Sequence, residues 1–246
     1  MGKVLLIGGS PMIGKSTVAK RIAIEYSLNC ISTDDIGEIL QTALNIDPMM
    51  GRNYLEYYEN TDVNSLIEDL KKYHSAMKRA IIRMIDKHSA WGESMIIEGY
   101  AVYPDIVLNE NTDAIWLIAS ENLLRKRLEQ SKVFQNASNK AKENYLCRSL
   151  WHNGFIYDKC VEYGCKYINI SVNETIYDLS SKIIKETNLN LQVSTSGKIR
   201  GFYIILTKGN RKTSPIGKCE VPTGDVYHFT YSSITHSCFL SMLSLS

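Results

Sequence analysis

Short, uninterrupted apolar runs alternate along this chain with longer stretches in which apolar residues recur every three or four positions. The runs are Val4-Leu5-Leu6-Ile7, Leu28 to Ser32, Ser94 to Gly99, Asp113 to Ile118 and Lys166 to Ile170. Each is too short for a helix and rich enough in β-branched and aliphatic residues to be a strand buried on both faces. Between them the three-to-four period predicts helices. One starts at Lys15 with the stripe Val18, Ala19, Ile22, Ala23 and Tyr26, and a second carries Ile36, Ile39, Leu40 and Ala43. The longest, Val63 to His88, has Leu66, Ile67, Leu70, Tyr73, Met77, Ile81 and Met84 on one side and Lys and Arg on the other. A helix capped by Ser120 follows the fourth run, then one ending near Tyr163, which Asn153-Gly154 is expected to interrupt, and a closing helix spans Ile176 to Lys185. Strand and helix in strict alternation predict an α/β fold, a parallel sheet covered by helices on both faces.

Two segments break the pattern. Asn45 to Asp62, with Pro48, Gly51, Arg52 and the tyrosines Tyr54, Tyr57 and Tyr58, reads as an irregular segment, either a cover for a substrate or an ordinary surface loop. Beyond Asn188 the period is lost. Gly201 to Leu206 and Val226 to Tyr231 resemble two strands separated by turns, and a serine-rich end follows. The expected division is therefore a main domain over residues 1–188 and a small β-rich extension over 189–246.

Composition changes this picture little. With 246 residues and 44% hydrophobic content, one α/β domain with an appendage is well supported. The net charge of +2 argues against nucleic acid as an obligate partner. The tail is the exception, since Lys198, Arg200, Lys208, Arg211, Lys212 and Lys218 face only Glu220 and Asp225. Six cysteines show neither C-x-x-C nor metal-ligand spacing and read as reduced thiols. No leader segment and no membrane-length apolar run are recognised, so the cytoplasm is the expected compartment and no membrane partner is expected. The oligomeric state is left open.

The chemistry begins at Gly9-Ser10-Pro11-Met12-Ile13-Gly14-Lys15-Ser16, a G-x-x-x-x-G-K-S string between the first strand and first helix. Glycines at both ends let successive amides turn inward around phosphate oxygens, and the helix N-terminus adds its positive end. Gly9, Ser10, Met12, Ile13, Gly14, Lys15, Ser16 and Thr17 form the expected nucleotide-binding set, with Lys15 reaching the β- and γ-phosphates and Ser16 holding Mg²⁺. Carboxylates leave two further strands. Asp34 and Asp35 follow the second, where one caps the next helix and the other lies near the γ-phosphate; Asp34, nearer the strand end, is the favoured general base. Glu98 ends the third strand, where an acid orders Mg²⁺ or orients the acceptor. Arg125, Arg127 and Arg148 lie on two helices flanking the short stretch Ser131 to Lys140, an arrangement suited to clamping phosphates. Arg127 is expected at the transferring phosphoryl group, Arg125 at the nucleotide, and Arg148 with Asp35 and Arg52 at the acceptor. His74 reads as a packed or surface histidine.

In Ile7 to Ser16, Ile31 to Ile36, Ile96 to Gly99 and the arginine-bearing helices, the chain resembles the P-loop small-molecule kinases, and among them the 2-phosphoglycerate kinases. The resemblance covers residues 1–188 and implies an adenylate-kinase-like core with sheet order 2-3-1-4-5, a short lid, and ATP with Mg²⁺ as donor. The aspartate after the second strand also resembles the general base of polynucleotide kinases and zeta toxins, which implies that role for Asp34. Those groups commonly place an arginine within a few residues of it, where this chain has Gly37; Arg52 is the cation that would substitute. The expected function is transfer of phosphate from ATP to a hydroxyl of a small metabolite. Two alternatives stay open: a nucleotide-gated RNA-binding or regulatory protein using the basic tail, and a toxin-like kinase of a sugar nucleotide or nucleic-acid end. A GTPase is disfavoured, because Asn139-Lys140-Ala141-Lys142 lacks the acid of a guanine-binding motif.

Overall fold

The computed structural model describes residues 2–45, 49, 51–106 and 112–187. The two strands expected in the tail, and the extension as a whole, lie outside these residues. Among the described residues twelve elements run in the order β1 (Val4–Gly9), α1 (Lys15–Tyr26), β2 (Asn29–Ser32), α2 (Thr33–Ala43), α3 (Tyr54–Asn60), α4 (Val63–Trp91), β3 (Met95–Glu98), β4 (Thr112–Ala119), α5 (Glu121–Glu129), α6 (Asn139–Tyr163), β5 (Tyr167–Ile170) and α7 (Ile176–Glu186). The five strands form one parallel sheet in the order β2-β3-β1-β4-β5.

The period of two along β1 explains the layers. Leu5 and Ile7 join one apolar cluster with Val18, Ile22, Leu124, Leu179 and Ile183, so α1, α5 and α7 pack on that face. Val4 and Leu6 join a second cluster with Ile36, Met77, Ile81, Ile156 and Cys160, placing α2, α4 and the second half of α6 on the other. All six residues of β1 are buried, the mark of a central strand covered twice. At 25 cal/mol per Å2 each of these aliphatic side chains contributes about 2 kcal/mol. They hold the loop after β1 on a rigid platform.

Three local expectations are corrected. The segment from Asn45 to Asp62 is not wholly irregular, because Asn53 and Glu56 make a reciprocal capping box that starts α3. The cap of α2 is Ser32, whose hydroxyl accepts from the Asp34 amide at 3.1 Å, so both aspartates lie in the first turn and neither caps it. α6 runs unbroken through Asn153-Gly154. Gly154 faces open space and costs only its propensity, while the Asn153 side chain is recruited elsewhere: Oδ1 accepts from the Ala119 amide and Nδ2 donates to the Ala119 carbonyl, both at 3.0 Å. Asn153 thereby ties α6 to the end of β4. Among the described residues no helix is long and apolar enough to cross a membrane.

Candidate active site

Parallel strands β2, β3 and β1 lie side by side and end together, which brings the loop after β1, the first turn of α2 and Glu98 to one edge of the sheet. The loop has the backbone its sequence requires. Gly9, Met12 and Gly14 have φ of 131°, 63° and 90°. Glycine permits the first and third, and Met12 carries a left-handed conformation that costs about 1 kcal/mol or more. Ile13 is buried under the loop and anchors it.

Lys15 lies almost wholly inside, 6% exposed, with its ammonium donating to the Ser10 carbonyl at 2.7 Å. Burial lowers its pKa to about 8, against the opposing pull of the Glu98 and Asp34 carboxylates. Asp34 opens to solvent at the cleft, yet the surrounding walls withhold enough water to raise its pKa. Glu98 and Asp35 push the same way, and Lys15 and Arg148 oppose them. Glu98 is 3% exposed and stands opposite Ile7 and Ser32 in the sheet. One cation and two carboxylates thus act on one another across the ends of three strands.

The next residue leaves no freedom. Gly99 has φ of 150°, and a Cβ there would sit 1.8 Å from Thr33 Oγ1. Thr33 is fully buried, its hydroxyl accepts from the Ala101 amide at 3.5 Å, and its carbonyl accepts from the Tyr73 hydroxyl at 3.1 Å. Gly99→Ala should therefore destabilise the fold by about 3 kcal/mol or more, from overpacking and backbone strain together. The urea midpoint measures this, and an unchanged midpoint would mean that the β3 end is not held against α2.

The four expected arginines reach different places. Arg127 is half-buried and donates from Nη1 to the Met12 carbonyl at 2.9 Å, so it touches the loop itself. Arg148 is seated among aromatic rings, 5.1 Å from the centre of Tyr58 and 5.6 Å from that of Tyr145, and its buried Nε has no protein partner. Its charge is felt at Asp34. Arg125 is exposed and paired with Glu121 at 2.8 Å and Glu143 at 3.5 Å. Arg52 serves its own segment, donating to the Met49 carbonyl and the Thr61 hydroxyl. Ser16, Thr17 and Asp35 are exposed, Ser16 and Thr17 in the first turn of α1 and Asp35 in that of α2.

Ser149 and His152, beneath the loop, are functional residues not singled out by any motif in the sequence. The Ser10 hydroxyl donates to the Ser149 carbonyl at 3.0 Å and lies 3.3 Å from His152 Nδ1. Because the hydroxyl proton is given to Ser149, Nδ1 carries the imidazole proton and donates to Ser10. His152 is fully buried and its pKa is pushed well below the ordinary value, by burial first and then by His74, Arg148 and Lys15. The signal was available: Tyr145, Ser149, His152 and Ile156 recur at helical spacing, so two polar residues stand in a buried stripe. His74 is packed, as expected, 5.1 Å from His152.

Among the described residues no group of three or more His, Cys, Asp or Glu side chains converges as a metal site. Mg²⁺ usually keeps several waters and takes one or two protein ligands plus substrate phosphates. A hydroxyl at the start of α1 and a carboxylate at the end of β3 fit that demand.

No protein-family model and no curated protein matches the chain. Solved structures of similar fold include a sugar kinase from Janibacter sp., 15% identical over 79% of this chain and 99% of that one, with a TM-score of 0.49. A shikimate kinase from Bacteroides thetaiotaomicron is 14% identical over 76% and 97%, with a TM-score of 0.44. A gluconokinase from Sinorhizobium meliloti is 13% identical over 76% and 94%, with a TM-score of 0.41.

Proposed function

We propose that the protein is an ATP- and Mg²⁺-dependent kinase that phosphorylates a hydroxyl of a small metabolite. The observation that carries this reading is the grouping of Lys15, Asp34 and Glu98 at the ends of three parallel strands, beside a loop with positive φ at Gly9, Met12 and Gly14. Loop amides and Lys15 hold the phosphates and stabilise charge on the transferring group. Arg127, fastened to the loop at Met12, adds a second cation from α5. Ser16 and Glu98 would hold Mg²⁺, which would supply neutralisation of phosphate charge. Asp34 accepts the proton of the attacking hydroxyl. Arg148 gives an anionic acceptor a cation beside that base, which makes 2-phosphoglycerate the first acceptor to try. The setting of these reactions is the cytoplasm.

The pH profile tests the assignment. A base must be ionised to work, and Asp34 is held above the ordinary carboxylate range, so kcat/KM for ATP should rise on a limb displaced above that range. Lys15 must be protonated to meet phosphate, and in the free enzyme it loses its proton at about 8, so the profile should fall on the alkaline side near that pH. Asp34→Asn should remove the acid limb. An acid limb that survives in Asp34→Asn would assign the base elsewhere.

A further inference from the structure

His152 is a buried titratable group that the proposed chemistry leaves unused. It sits in the middle of α6, fully buried, beneath the loop after β1. The helix is anchored at that point, because the next residue, Asn153, makes two bonds of 3.0 Å to Ala119 at the end of β4. The imidazole plane is fixed as well. Tyr103 stacks on it at 5.9 Å, and His74 lies 5.1 Å away.

Two contacts lead from this ring to the nucleotide site. His152 Nδ1 lies 3.3 Å from Ser10 Oγ, which itself donates to the Ser149 carbonyl at 3.0 Å. The Ser10 carbonyl then accepts from the Lys15 ammonium at 2.7 Å. Ser10 is fully buried, so water does not stand in for these partners. One side chain of α6 thus reaches, through a single residue, both the loop backbone and the cation expected at the phosphates.

A packing role does not explain the residue. Burial keeps the imidazole neutral, and its buried Nε2 has no hydrogen-bond partner among the described residues. An apolar side chain would fill the space without leaving an acceptor unsatisfied, a condition that folded proteins rarely keep. What an apolar side chain cannot supply is an N–H aimed at Ser10. Lysine or arginine would supply one only by burying a second positive charge close to Lys15.

We propose that His152 is a positioning residue of the nucleotide site: by donating to Ser10 it holds the loop, and Lys15 with it, in place before ATP binds. A loop already held costs less to order on binding, so the bond is expressed as ATP affinity. The inference rests on the reading of this loop as an ATP site and requires no particular acceptor.

Two substitutions separate the donor from the ring. Asparagine carries Nδ2 as many bonds from the backbone as histidine carries Nδ1, so His152→Asn keeps the donor and loses the ring, whereas His152→Phe keeps a ring and loses the donor. Titration of the purified protein with ATP and Mg²⁺, beside thermal unfolding of each variant, reads the outcome. Wild type and His152→Asn should bind alike, although the lost ring lowers the thermal midpoint of His152→Asn. His152→Phe should bind about tenfold more weakly, the size of one buried hydrogen bond. His152→Leu, smaller and likewise without a donor, should match it and keeps the test in force if His152→Phe does not fold. Ser10→Ala should lose a similar factor, and His152→Phe added to it should cost nothing more. Affinities that follow the thermal midpoints instead, with His152→Asn the weakest binder, would overturn the proposal and leave His152 to packing. Wild-type affinity in the donor-free variants would overturn it too. Absence of ATP binding by the wild type would overturn the kinase reading itself, and this inference with it.

Discussion

Lys15→Ala should lower phosphoryl transfer by about 10³-fold or more and weaken ATP binding, while the protein stays folded. The rate loss follows from removing a buried donor aimed at charge that develops during transfer, in a site where little water can replace it. The retained fold follows from the same burial. Because the folded state lowers the Lys15 pKa, it disfavours the charged ammonium, and losing that charge offsets the lost hydrogen bond to the Ser10 carbonyl. Thermal unfolding beside steady-state rates separates the two effects. Transfer above a tenth of the wild-type rate would remove Lys15 from the chemistry.

Asp34→Asn should reduce kcat by about 10² to 10⁴-fold with ATP affinity retained, the range for loss of a general base. The substitution keeps the shape of the side chain and removes its ability to take a proton. It should also leave the protein at least as stable near neutral pH. A carboxyl held above its ordinary pKa is one whose ionised form the fold disfavours, so its penalty is present above the folded pKa and disappears when the group is neutral. An unchanged kcat would exclude Asp34 as the base. A lower kcat accompanied by weaker ATP binding would give it a nucleotide-binding role instead.

How much of this could be read in the sequence depends on the length of the signal. Strand, loop and helix from Val4 to Tyr26 were legible because the loop motif lies between two elements whose periods differ. The sheet order followed only from the family resemblance, and the structure has that order. α3 was missed because seven residues carry too little period, although Asn53 and Glu56 spelled its start. The continuity of α6 was hidden by local chemistry. Asn153-Gly154 reads as a turn in isolation, and two bonds from Asn153 to Ala119, 34 residues away, are a tertiary reason that no local propensity contains.

The site was legible where residues act on the chain near them, and less so where distant partners decide. Lys15, Asp34 and Glu98 meet because strands distant in sequence are neighbours in the sheet, which the fold class implies. Whether an arginine faces the cleft or the solvent depends on its carboxylate neighbours, and Arg125 has Glu121 and Glu143. The departure at Gly37 has a physical cause. A Cβ there would lie 2.2 Å from the Tyr73 hydroxyl, so this chain fills with a tyrosine from α4 the space that an arginine side chain would need.

Acceptor-dependent formation of ADP decides whether the protein is a kinase. Purified protein, ATP and Mg²⁺ are combined with a panel of hydroxylated metabolites that includes 2-phosphoglycerate, with Lys15→Ala alongside. One class of acceptor should raise ADP release well above the acceptor-free rate in the wild type and not in Lys15→Ala. Tight ATP binding with no acceptor-dependent release across the panel, or equal release from both proteins, would contradict it.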